Sequence, residues 1–216
     1  MTSPDDDDLT TDGLAAPGEA PILILGCGAL AHEILAILRA NGLDHIELQC
    51  LPAIFHNHPE KIEPAVRETV KDARAKGYEQ IFLAYADCGT GGQLEKAARE
   101  LGIEMMQGPH CYAFFEGTDA FLKRTEDDFT SFYLTDFLTR QFDAFVWKPL
   151  GLDRHPELLE MYFGHYEKLV YQSQTDDPAL LDKARNCAKR LGLAFVHHKT
   201  GYGELETEIL NLNSVS

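Results

Sequence analysis

Short apolar runs alternate with amphipathic stretches along the first half of the chain. Ile22-Leu23-Ile24-Leu25 is apolar at every position and stops at Gly26. That is the pattern of a strand buried on both faces. From Ala29 to Ala40 the apolar residues Leu30, Ile34, Leu35 and Leu38 recur at helical spacing, and Gly42 follows as a stop. Ile46–Leu51 reads as a second strand. Glu60–Lys76 reads as a helix with Ile62, Val66, Val70 and Ala73 on one face, closed by Gly77. Ile81–Tyr85 reads as a third strand, Leu94, Ala97, Ala98 and Leu101 as a helix ending at Gly102, and Ile103–Met106 as a fourth strand.

The middle of the chain is different. From Phe114 to Tyr166 aromatic residues are dense, with Phe129, Phe132, Tyr133 and Phe137 at helical spacing, followed by Phe142, Phe145 and Trp147. Pro156 opens a further helix carrying Leu159, Tyr162, Phe163 and Tyr166. The aromatic stripe reads as core packing, with a substrate cage as the alternative. The earlier rhythm then resumes. Leu169–Gln172 is a strand, Asp177-Pro178 starts a helix that Gly192 ends, and Leu193–Val196 is a last strand running into His197 and His198.

Buried strands alternating with Gly-terminated helices predict an α/β fold, a largely parallel Rossmann-like sheet with crossover helices and an aromatic-rich helical insertion. The organisation expected is a disordered acidic tail over 1–20, a Rossmann-like unit over 21–113, the insertion over 114–168, and a C-terminal α/β unit over 169–216. That last unit either completes the sheet or forms a second lobe.

Composition narrows the functional classes. The 216 residues are 44% hydrophobic and 25% charged, enough apolar material for a sizeable core. The formal charge is −16, which argues against nucleic acid and anionic membrane surfaces as partners. Asp5, Asp6, Asp7, Asp8, Asp12 and Glu19 fall in the first twenty residues, which hold no Lys or Arg. Hence the expectation of disorder there, with an acidic interaction arm as the alternative. No apolar run approaches the roughly 20 residues of a membrane span. The start lacks the basic and apolar regions of an export signal, so a cytoplasmic location is expected.

In open parallel sheets, ligands bind beyond the carboxyl ends of the strands. Three of the five cysteines, Cys27, Cys88 and Cys111, take that address on three strands. An odd count without an export signal argues against a disulfide framework. Thiolates gathered with imidazoles favour zinc or iron, the latter including an iron–sulfur cluster. The leading expectation is therefore a metal-dependent enzyme with Cys27, Cys88 and Cys111 as ligands. His110, His56 and Asp87 are the candidate proton carriers, acting on a small-molecule substrate. Reactive thiols without a metal are the alternative, including a racemase-type acid/base pair. In the plainest reading each sulfur is a small apolar core residue. Cys187 lies on an apolar helix stripe, and Cys50 is ambiguous.

The first loop also fits G-x-G-x-x-A, with Gly26, Gly28 and Ala31 at a strand–turn–helix junction, a nucleotide or S-adenosylmethionine fingerprint. The acid expected after the second strand is missing, and Glu47 sits inside that strand. Thr90, Gly91 and Gly92 would offer N–H groups to an anion, and Gly89, Thr90 and Gly91 are candidate cofactor-binding residues. Asp87 would alternatively cap the helix that follows. His197 and His198 follow the last strand, and Tyr202 and Glu204 lie in a Gly-rich loop that reads as a lid.

The strings Leu25-Gly26-Cys27-Gly28-Ala29-Leu30, Tyr85-Ala86-Asp87-Cys88-Gly89-Thr90-Gly91 and Gly108-Pro109-His110-Cys111-Tyr112 resemble those of the domain of unknown function 1638 family. The resemblance runs from Pro21 to near Glu204. Members of that family stand alongside corrinoid-dependent methylamine or betaine methyltransferases. The resemblance therefore implies a role in one-carbon or methylated-amine metabolism, with a corrinoid or methyltransferase protein as partner.

Overall fold

The computed structural model describes residues 3–126 and 129–212. Met1, Thr2, Asp127, Asp128 and residues 213–216 of the expected segments lie outside the described residues. In chain order the elements are α1 (Asp6–Thr11), β1 (Ile22–Cys27), α2 (Ala31–Ala40), β2 (Ile46–Leu51), α3 (Ile62–Ala75), β3 (Gln80–Ala84), α4 (Gln93–Leu101) and β4 (Glu104–Met105). They continue as α5 (Thr118–Glu126), β5 (Ser131–Leu134), α6 (Asp136–Arg140), α7 (Leu159–Phe163), β6 (Lys168–Ser173), α8 (Pro178–Leu191), β7 (Ala194–Lys199) and α9 (Gly203–Leu212). None of the described helices is long and apolar enough to cross a membrane.

The chain divides into two compact units. One takes the chain up to Phe114 together with α9, and the other takes Phe115–Tyr202. Among the described residues, the strands of the first unit form one parallel sheet in the order β2-β1-β3-β4. Ile24 of β1 is in register with Leu48 on one side and Phe82 on the other, and every β1 residue is buried. That central place explains the uninterrupted apolar run, since neither face has a solvated side. α3 turns Ile62, Val66, Val70 and Ala73 inward. Gly102, at φ 62°, ends α4 in the left-handed conformation that a side chain disfavours, and its N–H closes on Ala98 and Arg99 carbonyls. α9 packs on α2 and buries Leu205, Ile209 and Leu212. Glu204 is thus in the first turn of a packed helix, not in a lid loop.

The acidic start of the chain is ordered where disorder was expected. Asp5 caps α1 by accepting the Asp7 N–H at 2.8 Å, and Leu9 is fully buried. Leu14 then pairs with Cys50 in an antiparallel bridge on the outer edge of β2. Net charge governs disorder only where no apolar group can be buried. Here Leu9 and two edge hydrogen bonds are sufficient anchors, and Asp6 meets His32 at 2.7 Å.

The second unit carries its own parallel sheet in the order β5-β6-β7. Of the expected C-terminal unit over 169–216, β6 and β7 thus build a second sheet together with β5, while α9 belongs to the first unit. The expected helical insertion over 114–168 contains a strand, β5. Phe132 and Tyr133 lie on β5, in register with Leu169 and Val170, while Phe129 is 80% exposed in the turn before it. The aromatics do form a core, since Phe137 and Phe142 are buried and Phe132 packs edge-on against Phe163. The helical spacing that sequence suggested arises because aromatics from a turn, a strand and a helix happen to fall three or four apart. β7 runs three residues beyond the expected strand end, to Lys199. His197 pairs with Tyr171 and His198 with Gln172, so both histidines belong to the strand.

Candidate functional site

Beyond the carboxyl ends of β3 and β4, two loops run side by side. The Asp87 N–H donates to the Gly108 carbonyl at 2.9 Å and the Cys88 N–H to the Pro109 carbonyl at 3.0 Å. This short ladder continues past the two-residue β4 and sets the loops in register. It brings Cys88 Sγ to 3.2 Å from Cys111 Sγ, within sulfur hydrogen-bonding distance. Cys88 has φ 47°, the only positive value at a non-glycine among the described residues. Such a backbone costs roughly 1 kcal/mol and persists where the surroundings impose it.

Asp87 supplies part of that imposition. Its carboxylate accepts the Thr90 hydroxyl at 2.9 Å and the Gly92 and Gly91 N–H groups at 2.6 and 3.2 Å. Burial would raise its pKa, but the N–H of Gly92, the Thr90 hydroxyl and the N–H groups of Gly91 and Gly89 outweigh burial and hold it below the usual carboxylate range. An acid so satisfied is a weak base, and the geometry gives Asp87 a loop-holding role. The N–H groups of Gly89 and Gly91 face this internal anion. Gly89 also lets the chain approach closely, since a β-carbon there would stand 3.3 Å from Pro59 Cγ.

The two contacting thiols are electrically unlike. Cys88 is lowered below the usual thiol value, first by the hydrogen bond from Cys111, then by backbone hydrogen bonds from Cys111 and Ala86, against the cost of burial. Cys111 is pushed well up by the same hydrogen bond, by burial and by the charges of Cys88 and Cys27. When the pair loses one proton, the shared hydrogen bond and burial favour Cys88 as the thiolate and Cys111 as the thiol. Cys88 and Cys111 are half-buried, whereas Cys27, Cys50 and Cys187 are buried.

Cys27, the last residue of β1, lies within electrostatic reach of both. Burial pushes its thiol up to about 11. Tyr85, directly after β3, is buried with its hydroxyl near the Cys27 sulfur. Burial and the neighbouring sulfurs raise its pKa strongly. Cys50, at the end of β2, feels Cys27 and Glu33 and is also raised, chiefly by burial. The strand-end address that pointed to the three expected cysteines applies equally to Tyr85 and Cys50. Cys187 sits in the second unit, on the buried face of α8.

His56 and His110 approach the same loops. Burial lowers the pKa of His56, and His110 lowers it further. Burial lowers His110 also, with Asp87 opposing. Burial thus favours the neutral form of both imidazoles. His110 stacks on Tyr112 with ring centroids 5.0 Å apart.

The sulfurs do not form a ligand set as they stand. Among the described residues, no three His, Cys, Asp or Glu are grouped to hold a metal ion. Tetrahedral zinc with bonds of about 2.3 Å would hold two thiolates about 3.8 Å apart. Cys88 and Cys111 at 3.2 Å are instead hydrogen-bonded to each other.

The glycine-rich first loop is explained by packing within the chain. A β-carbon on Gly28 would collide with the Leu9 carbonyl oxygen and lie 3.2 Å from both Ala53 N and Leu51 O. One on Gly26 would stand 3.3 Å from Ile34 of α2, and Ala31 is fully buried. Glu47 is engaged as well. It accepts the N–H groups of Gly18, Glu19 and Ala20 at 2.8, 2.9 and 3.2 Å, and the Tyr78 hydroxyl. In the second unit, His197 stacks on Tyr171 and meets the Ser173 hydroxyl at 2.9 Å.

The chain belongs to the family described as "Protein of unknown function (DUF1638)", whose pattern matches residues 50–209. The match includes Cys88 and Cys111, and Cys27 lies before it. No curated protein and no solved structure matches the chain.

Proposed function

We propose that this member of the DUF1638 family is a thiol-dependent enzyme in which Cys88 is the nucleophile toward a small-molecule substrate. The observation that carries the reading is the 3.2 Å contact between Cys88 and Cys111. A thiolate stabilised by a neighbouring S–H is a competent nucleophile near neutral pH. The S–H of Cys111 supplies the proton for a leaving group, and neutral His110 and His56 take up protons at the margin of the loops. Two thiols in direct contact leave no room for a carbon atom between them, so the arrangement favours covalent attack over a racemase-type pair on opposite faces of a substrate. Brief treatment with iodoacetamide and peptide mapping tests the reading. Cys88 is modified first, and a small-molecule thiol trap such as this one inactivates the protein. Uniform slow modification of every cysteine would remove it.

A metal-dependent enzyme is the second reading, with zinc or iron held by Cys27, Cys88 and Cys111. The proximity of the third sulfur favours it. It requires the loops to open the Cys88–Cys111 contact. Metal content after anaerobic purification separates the two readings, since a stoichiometric metal that blocks alkylation belongs only to the second.

A further inference from the structure

We infer that Cys88 and Cys111 form a reversible dithiol–disulfide couple that reduces hydroperoxides. The inference rests on the proposed role of Cys88 as nucleophile and adds the substrate class and the fate of the adduct. A resolving thiol must reach the oxidised sulfur without unfolding the site, and Cys111 Sγ already stands 3.2 Å from Cys88 Sγ. The ladder from Asp87 and Cys88 to Gly108 and Pro109 holds the two loops together during the exchange. Cys88 and Cys111 are half-buried residues, which suits a small oxidant, whereas the other cysteines are buried.

The chemistry balances with a hydroperoxide as the named oxidant. The Cys88 thiolate attacks the terminal peroxide oxygen, an S–O bond forms and the O–O bond breaks. The departing alkoxide or hydroxide takes a proton and leaves as alcohol or water. Cys111 then gives up its proton and attacks the Cys88 sulfenic acid. An S–S bond forms, the S–O bond breaks, and the oxygen leaves as water. The two sulfurs together lose two electrons, and the peroxide gains them. An external thiol reductant restores the pair by disulfide exchange.

The test uses the full chain, reduced and purified anaerobically, treated with one equivalent of hydrogen peroxide. The expected result is a loss of about 2 Da, a Cys88–Cys111 cross-linked peptide, and recovery of both thiols with dithiothreitol. In Cys111→Ser, Cys88 stops at a sulfenic acid that dimedone traps. In Cys88→Ser, oxidation of the remaining thiols slows by about tenfold or more. Rapid alkylation of Cys88 with no disulfide after peroxide overturns the couple and leaves the nucleophile standing. Slow alkylation of Cys88 overturns the nucleophile itself. A disulfide mapped to Cys27 overturns the pairing whether or not the variants fold.

Discussion

The carbonyl oxygen of Leu9 occupies the space that a β-carbon on Gly28 would need. The N-terminal helix therefore fixes a residue of the glycine-rich loop that follows β1. Backbone atoms on every side of Gly28 cannot give way as the end of a flexible side chain would. Gly28→Ala is expected to cost on the order of 3 kcal/mol in urea unfolding. Gly91→Ala is a useful contrast. Its φ is 64° and nothing lies within 4 Å of the added carbon, so only backbone strain of about 1 kcal/mol is expected. Equal effects at the two positions would contradict the packing account of the loop.

Leu9 itself gives a second prediction. Its side chain is fully buried, and truncating a buried leucine typically costs 2–5 kcal/mol. Leu9→Ala should lose about 3 kcal/mol in the same unfolding measurement. A disordered tail would give no change.

Glu47 sets a third, through pH. Burial would raise its pKa, but the Tyr78 hydroxyl and the N–H groups of Glu19, Gly18 and Ala20 prevail and lower it. The folded chain thus keeps this carboxylate ionised at pH values where the unfolded chain begins to bind a proton. The stabilisation is complete above the ordinary glutamate range and is lost as pH falls through the depressed folded value. Glu47→Gln should lower stability by about 2 kcal/mol at pH 7. The gap from the parent should shrink between roughly pH 5 and pH 3. A gap that widens on acidification would refute the assignment.

Asp136 gives a fourth prediction in the second unit. It is fully buried and accepts the Tyr171 hydroxyl at 2.6 Å, the Thr175 hydroxyl and N–H at 2.6 and 3.0 Å, and the Gln174 N–H at 3.2 Å. Asp136→Ala leaves the buried Tyr171 hydroxyl and Gln174 N–H without their acceptor, at a cost of about 3 kcal/mol. Trp147, the single tryptophan of the chain, lies in the same unit against Arg190, so its fluorescence reports the loss.

The parallel α/β character was legible because β1 is central and its helices carry one apolar stripe each. The order at Leu9 and Leu14 was not, because two anchors are invisible beside six acids. β5 was hidden by the accident of spacing that placed Phe129, Phe132 and Tyr133 on one apparent helical face. The strand-end rule led to Cys88 and Cys111 because parallel strands deliver their end loops to one side of the sheet. It offered Asp87 both as a base and as a cap of the helix that follows, since the residue type suits either role. Their choice depends on the Gly91 and Gly92 N–H groups, whose direction is set only by the folded loop.

The most direct test of the thiol pair is the rate of Cys88 alkylation as a function of pH, followed by peptide mapping in the parent chain and in Cys111→Ala. The account predicts that Cys88 reacts ahead of Cys27, Cys50 and Cys187, with a midpoint below the ordinary thiol value of about 8.5. It also predicts that the midpoint rises when the Cys111 S–H is removed. A midpoint at or above the ordinary value, unmoved by Cys111→Ala, would contradict it.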